Sequence, residues 1–202
     1  MDNNQRSNIG YLGRASYSYD DRYFFTGSYR RDGASVFGVN QKWGDFFAFG
    51  GAWRLSSEKF MSSISYLDDL KLKVSWGKNG NQGLDPYGTL STINNGASGG
   101  VRYEFGGSDI IYGLNQKALG NANLGWETTE SWNTGFESAW LGSRLFVDLD
   151  LYFSKTTDQI FTRDIPVMTG FKNMKSSMGQ VNNRGVELTI RSVNINTQDW
   201  YW

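Results

Sequence analysis

The chain has 202 residues, with 20 lysines and arginines against 20 aspartates and glutamates, so no net charge directs it toward nucleic acid or an anionic membrane surface. It contains no cysteine and no histidine, which excludes disulfides, thiolate metal sites and the commonest general base. Aromatic residues make up 16% of the chain, and it has 25 glycines but only 2 prolines, a combination that predicts an ordered, glycine-rich β protein.

The predicted elements are strands in which apolar side chains occupy every second position. In "RLFVDLDLYFS" (144–154), Asp148 and Asp150 lie on one face and a run from Leu145 to Phe153 lies on the other. Because successive side chains of a strand point to opposite faces, such a strand has one apolar wall and one polar wall. In chain order, the predicted strands span residues 8–19, 22–31, 45–55, 70–77, 132–139, 144–154 and 185–191.

The segments between these strands also follow a pattern. "SSEKFMSS" is expected to hold a short helical turn, and the terminal "DWYW" is expected to begin one more strand. The other connectors alternate between short ones, at Asp20-Asp21, 141–143 and 196–199, and long ones, at about 32–44, 80–125 and 157–182. Short turns at one end, long loops at the other and aromatic residues beside the short turns are typical of an outer-membrane β-barrel. We therefore predict an all-β, antiparallel, up-and-down transmembrane segment whose apolar wall contacts lipid.

A soluble β-sandwich remains an alternative, since its strands also alternate. The predicted outward positions carry essentially no charge apart from terminal ones such as Arg31. A charge on a lipid-facing wall would cost ~2–4 kcal/mol at mid-bilayer, but a sandwich would also keep charges out of its core. The loop asymmetry is therefore the stronger argument for the barrel. The opposite positions carry Arg14, Arg30, Arg54, Lys71, Lys73, Glu137, Asp148, Asp150, Glu187 and Arg191.

No catalytic residue, cofactor site or metal site is predicted. Asp148 and Asp150 would lie roughly 7 Å apart on one face, a separation that can serve glycoside hydrolysis. Without histidine, and from the middle of a strand, they fit a polar lumen wall better. "GKNGNQG" (77–83) lacks the residue order of a phosphate-binding loop. In "RRDG" (30–33), Asp32-Gly33 is expected to start a turn while one arginine pairs with lumen carboxylates.

The long connector at 80–125 holds the candidate ligand contacts. Aromatic rings stack on sugars or grip peptides, and amides and hydroxyls supply directional hydrogen bonds. An equally weighted alternative is that these aromatics pack the loop against itself or against a lid protein. The candidates are Tyr87, Arg102, Tyr103, Tyr112 and Trp126, the last at the end of the loop.

Several ordered motifs resemble the SusC/RagA family of TonB-linked outer-membrane transporters of Bacteroidetes. They begin with "DDRY" (20–23), "RRDGAS" (30–35), "FG" (37–38), "WG" (43–44) and "AWR" (52–54). "DLKLKVSWGKNGNQ" (69–82) and "NANLGWETTESWNTGFE" (121–137) follow, the second with Ala122 where the family has proline. "TTDQI", "TGF" and "GQVNNRGVEL" complete the series, so the resemblance covers nearly the whole chain.

The resemblance implies a non-enzymatic importer in the outer membrane of a Gram-negative cell. It implies a 22-stranded barrel with an N-terminal plug, TonB as energy-coupling partner, a SusD-like surface lipoprotein as lid, and a glycan or peptide as substrate; no nucleic acid is expected. Residues 1–202 are expected to form part of one such barrel, about 7–8 strands without plug or TonB box, from the internal to C-terminal half. "MDNNQRSNIG" has no apolar stretch, so no secretion signal is expected. The alternative is a stand-alone small barrel, with the C-terminal stub as eighth strand, or an adhesive or structural outer-membrane β-domain.

Overall fold

The computed structural model describes residues 4–95, 102–104, 110–171, 173–195 and 202. In this part of the chain, strands are numbered in order. They are β1 (Asn8–Tyr19), β2 (Tyr23–Ala34), β3 (Trp43–Arg54), β4 (Leu67–Asn81), β5 (Thr92–Asn95), β6 (Arg102–Glu104), β7 (Ile110–Tyr112), β8 (Leu114–Ala118), β9 (Glu127–Trp140), β10 (Leu145–Thr157), β11 (Ile160–Asp164), β12 (Asn173–Ser177) and β13 (Gln180–Ser192).

Seven of these strands form one antiparallel sheet in the order β1-β2-β3-β4-β9-β10-β13. They coincide with the seven predicted strands, so the predicted all-β, up-and-down segment is confirmed. The strands β1 and β13 are the two ends of this sheet and do not pair with each other. The described residues therefore form an open part of a barrel wall and not a small closed barrel.

The long connectors contain short strand pairs that the sequence pattern did not reveal. The strands β5 and β8 pair within one connector, β6 pairs with β7 inside it, and β11 pairs with β12 in the last one. The predicted helical turn is present as two 3-10 turns, Leu55–Ser57 and Lys59–Met61, and a third lies at Val167–Thr169. Among the residues described, none belongs to a helix with the length and apolar character needed to cross a bilayer.

The short turns are hairpins whose backbone matches the twist of the strands. Asp20 and Asp21 have φ of 52° and 49°, as the two central residues of a type I′ turn require. Leu141 and Ser143 are also left-handed, with φ of 59° and 60°. The third predicted short turn, at 196–199, lies outside the described residues.

The predicted turn at Asp32-Gly33 is wrong, because β2 continues through both residues to Ala34. Asp32 remains in the ladder opposite Gly10 and Gly44, so its backbone groups are used by neighbouring strands. Arg30 Nε lies 2.5 Å from Asp32 Oδ2, so one arginine of the motif does pair with a carboxylate on its own face of β2. That this face lines a lumen stays a prediction.

The apolar walls of the seven strands join into one continuous outer face. Leu149 of β10, for example, lies opposite Phe136 of β9 and Leu188 of β13. These side chains are not covered: Leu188 is 60% exposed and Phe25 is 58% exposed. Within the described residues no second sheet packs on this face, so the β-sandwich alternative lacks its second layer.

Aromatic rings lie at the short-turn end of the outer face and form what we call the turn girdle. Tyr23 stacks between Tyr19 and Trp53, with ring centroids 6.4 and 6.2 Å apart, and Tyr66 stacks on Trp140 at 5.9 Å. Such amphipathic rings suit the boundary between hydrocarbon and headgroups. The prediction of aromatic residues beside the short turns is confirmed.

At the loop end, the outer face changes from apolar to charged within one step of the alternation. Trp76 donates from Nε1 to Glu130 Oε1 at 2.8 Å, and Lys78 and Lys155 lie in register with Glu130. On β10 the apolar wall runs from Leu145 to Phe153, eight residue steps or about 27 Å along the strand. With a strand tilt of about 35–45° this gives a height of about 20 Å, close to the ~25 Å apolar band of outer-membrane barrels.

Glu58, in the connector below the turn girdle, should make stability depend on acid pH. Tyr23 Oη donates to Glu58 Oε1 at 2.7 Å and Trp53 Nε1 donates to it at 3.1 Å. These two hydrogen bonds hold the pKa of the Glu58 carboxyl below its ordinary value. A lowered folded-state pKa means that the stabilisation is complete above the unfolded pKa and is lost as the pH falls through the folded pKa.

We therefore expect Glu58→Gln to lower the free energy of unfolding at neutral pH, and we expect this difference to shrink as the pH falls through the acid range. Urea unfolding of the full-length protein in lipid vesicles, repeated across this range, measures the effect. A constant difference between the two proteins at every pH would contradict it.

Candidate functional site

The inner wall of the sheet is polar and carries an ion network at its centre. Lys73 Nζ lies 3.1 Å from Glu137 Oε1 and 3.0 Å from Asp150 Oδ2, so it joins β4, β9 and β10. Lys71 Nζ adds a further contact to Glu137 at 3.7 Å. Asp150 is thus held by a lysine in a structural network, as the polar-wall interpretation of the Asp148 and Asp150 pair expects.

The described hydrophobic core lies at the loop end and not behind the sheet. Leu124 is fully buried and Phe37 is 2% exposed. Phe37 lies in the β2–β3 connector and packs with Leu84 of the β4–β5 connector and with Leu124 of the segment before β9. One cluster therefore joins three chain segments. We call it the loop-end core; it consists of Ala34, Val36, Phe37, Leu84 and Leu124, with Trp126 and Ile160 packed against it.

Close backbone approach and aromatic packing build this core. Gly38 N donates to Leu124 O at 2.9 Å, and a Cβ at Gly38 would overlap the carbonyl of Ala122. Asn40 Nδ2 donates to Asn123 Oδ1 at 3.0 Å and ties the same two segments together. Glycine is needed at position 38 because any side chain would push the segments apart.

Trp126 joins the core to the inner wall. The centroid of its ring lies 4.7 Å from the ring centroid of Phe37. It lies 5.4 Å from the ring centroid of Phe46, an inner-wall residue of β3, and these two rings meet edge to face. Its Nε1 donates to Lys42 O at 3.4 Å. The loop-end core therefore contacts the inner side of the sheet through Trp126 and Phe46.

A cleft of about 750 Å³ opens beside the loop-end core. Its walls come from residues 4–7, from the β2–β3 connector and from the β4–β5 connector. Buried Val36 and Phe37 form part of its floor, so the core fixes the position of the cleft. The more accessible lining includes Arg6, Lys42 and Tyr87.

The structure places the five predicted ligand contacts in three locations. Tyr87 lines the cleft, is 47% exposed and has a left-handed φ of 61°. Trp126 packs in the loop-end core, the arrangement described by the alternative that the loop aromatics pack against the protein itself. Arg102 and Tyr103 lie in β6, with Arg102 opposite Tyr112 of β7, whose side chain lies outside the described part. The ligand-contact role of all five stays a prediction.

Sequence reasoning missed the charged residues of the cleft. Arg6 precedes the first strand, and Lys42 comes from a different long connector. No sequence motif marks either residue as a ligand contact. The fold alone brings Arg6 and Lys42 to the same cleft as Tyr87. In the described residues no group of three or more histidine, cysteine, aspartate or glutamate side chains could hold a metal ion.

The comparisons with known proteins agree with this architecture. A family model described as TonB dependent receptor-like, beta-barrel matches residues 1–202. TonB-dependent receptor SusC of Bacteroides thetaiotaomicron is 35% identical over 198 residues, which cover 96% of this chain and 19% of SusC. TonB-dependent receptor P26 of Formosa agariphila is 34% identical over 194 residues, which cover 95% of this chain and 19% of P26.

Among solved structures, one of the RagAB peptide importer in the open-open state superposes with a TM-score of 0.84 at 26% identity. The match covers 97% of this chain and 20% of that chain. The chain thus spans about a fifth of the length of the relatives it matches.

Proposed function

Since the chain belongs to the family of TonB-dependent receptor-like β-barrels, we propose that the complete protein imports an oligomeric nutrient, a glycan or a peptide, across the outer membrane. The observation that carries this proposal is the exposed apolar outer face of the seven-stranded sheet, bounded by the turn girdle at one end and by charges at the other. Lipid is the environment in which such a face is stable.

The proposed path for the nutrient runs along the polar inner wall. The loop-end core contacts that side through Trp126 and Phe46, and the cleft beside the core would give a ligand its first contact. The family consists of transporters and receptors rather than enzymes. We accordingly propose that the protein binds and passes its cargo unchanged, with Asp148 and Asp150 as wall residues.

Two partners belong to the proposal. TonB would supply the energy through a plug region, and a SusD-like surface lipoprotein would cover the loop end and capture the substrate. The likeness to SusC and to the RagAB importer supports a partner of this kind.

Deleting the full-length gene should abolish growth on one polymeric nutrient while growth on its monomers continues. The test compares the deletion strain, the same strain carrying the gene on a plasmid, and the parent, each on a panel of glycans and on protein digests. Unchanged growth of the deletion strain on every polymer tested would rule the importer out and would leave an adhesive or structural outer-membrane domain as the better hypothesis.

A further inference from the structure

The cleft beside the loop-end core is positively charged. Arg6 and Lys42 line it, and the lining residues include no carboxylate. Within the described part of the chain neither side chain forms an ion pair, and the guanidinium of Arg6 donates to Gln82 Oε1, a neutral amide. Because an amide does not cancel a charge, two positive charges remain available to a ligand in this cleft.

The same cleft exposes aliphatic side chains. Val39 is 72% exposed and Leu90 is 57% exposed, next to the ring of Tyr87. Among the described lining residues, Tyr87 is the one aromatic ring that is more than a third exposed, whereas the branched aliphatic groups around it suit the apolar side chains of a peptide better than a sugar ring. Amide and hydroxyl groups in the lining, from Gln5, Ser7, Ser35 and Thr89, provide partners for a peptide backbone.

We propose that this cleft binds an acidic peptide, with a ligand carboxylate on Arg6 and Lys42 and an apolar side chain against Val39 and Leu90. The inference rests on the proposed importer function and names the class of cargo that its loop-end site selects. Charge-assisted hydrogen bonds to the carboxylate provide the selectivity, and the loop-end core provides the rigid floor.

The test measures binding to the purified full-length receptor by fluorescence polarisation. The probes are a labelled octapeptide containing leucines and glutamates and the same peptide with glutamine in place of every glutamate. We expect the glutamate peptide to bind about tenfold more tightly at low salt and this preference to shrink as salt rises. Lys42→Gln and Arg6→Gln should each remove most of the preference and leave binding of the glutamine peptide unchanged.

Lys117→Gln is the matched control, since it removes a positive charge of β8, in the long connector that contributes Tyr87 and Leu90 to the cleft, but outside the cleft lining. It should leave the preference intact. Equal affinity for the two peptides, a preference that survives both cleft variants, or displacement of the peptide by a lower concentration of a uronic acid oligosaccharide would each overturn the proposal. If growth still depends on the gene while any of these results is obtained, the importer function stands and only the acidic-peptide site is wrong.

Discussion

Arginine in place of Leu188 is expected to lower the free energy of unfolding of the full-length receptor by about 2–4 kcal/mol in a bilayer. Leu188 lies in the middle of β13, opposite Leu149 on the apolar outer face, and is 60% exposed. If that face met water, the substitution would replace one exposed side chain by another that is well hydrated. The free energy of unfolding would then change by no more than about 0.5 kcal/mol. A large cost would therefore mean that this face does not meet water.

The next residue on the same strand supplies the control. Thr189 points to the inner wall, opposite Asp148, so Thr189→Arg adds the same charge on the polar side and should be tolerated. Urea unfolding of the receptor folded into lipid vesicles measures both variants, and the amount of folded receptor in outer-membrane fractions gives a second readout. Equal costs for the two arginines would mean that lipid does not cover the outer face.

Alanine in place of Phe37 is expected to destabilise the loop end by about 3–5 kcal/mol, the usual cost of removing a buried phenylalanine ring. Phe37 is 2% exposed and contacts Trp126, so its removal opens a cavity where three chain segments meet. We expect faster amide hydrogen exchange in the segments around positions 37, 84 and 124, and weaker ligand binding. Amide exchange in the seven-stranded sheet should stay unchanged.

Val39→Ala in the same connector is the matched change, because Val39 is 72% exposed and its truncation leaves no cavity. It should change the free energy of unfolding by no more than about 0.5 kcal/mol, so hydrogen exchange should change little. Hydrogen exchange read by mass spectrometry on both variants separates the two outcomes. If Phe37→Ala left the amides of all three core segments as protected from exchange as before, the loop-end core would not be what holds these segments together.

Strand positions followed from the sequence wherever one wall is apolar. The predicted strand at 144–154 and the observed β10, Leu145–Thr157, agree because its apolar residues alternate without a break. The strand β9 begins at Glu127, five residues before the prediction, because "ETTES" carries no apolar residue on either face. Its backbone pairs with both β4 and β10 there, and these hydrogen bonds rather than burial define the strand end.

The candidate site was less accessible to sequence reasoning. Tyr87 was predicted as a ligand contact because it is an aromatic residue in a long loop. Arg6 and Lys42 line the same cleft only because the fold brings together segments that are distant in the sequence. The core residue Leu124 lies in "NANLGW", where apolar and polar residues alternate as they do in the exposed strands, so the pattern did not distinguish its burial in a core. A short strand such as β6, with three residues, is also too brief for alternation to be recognised.

If the protein is the importer proposed above, the shared loop-end core would limit how it acquires new cargo. Phe37 comes from the connector between β2 and β3, and Leu84 and Leu124 come from the two ends of the connector between β4 and β9. Since the three residues pack on each other, insertion or deletion near one of them disturbs the other two segments. Exposed rim positions such as Val39 and Leu90 do not take part in this packing. Specificity should therefore change by exchange of rim side chains while the loop-end core is kept, and directed evolution for a new nutrient should begin at the codons for Val39 and Leu90.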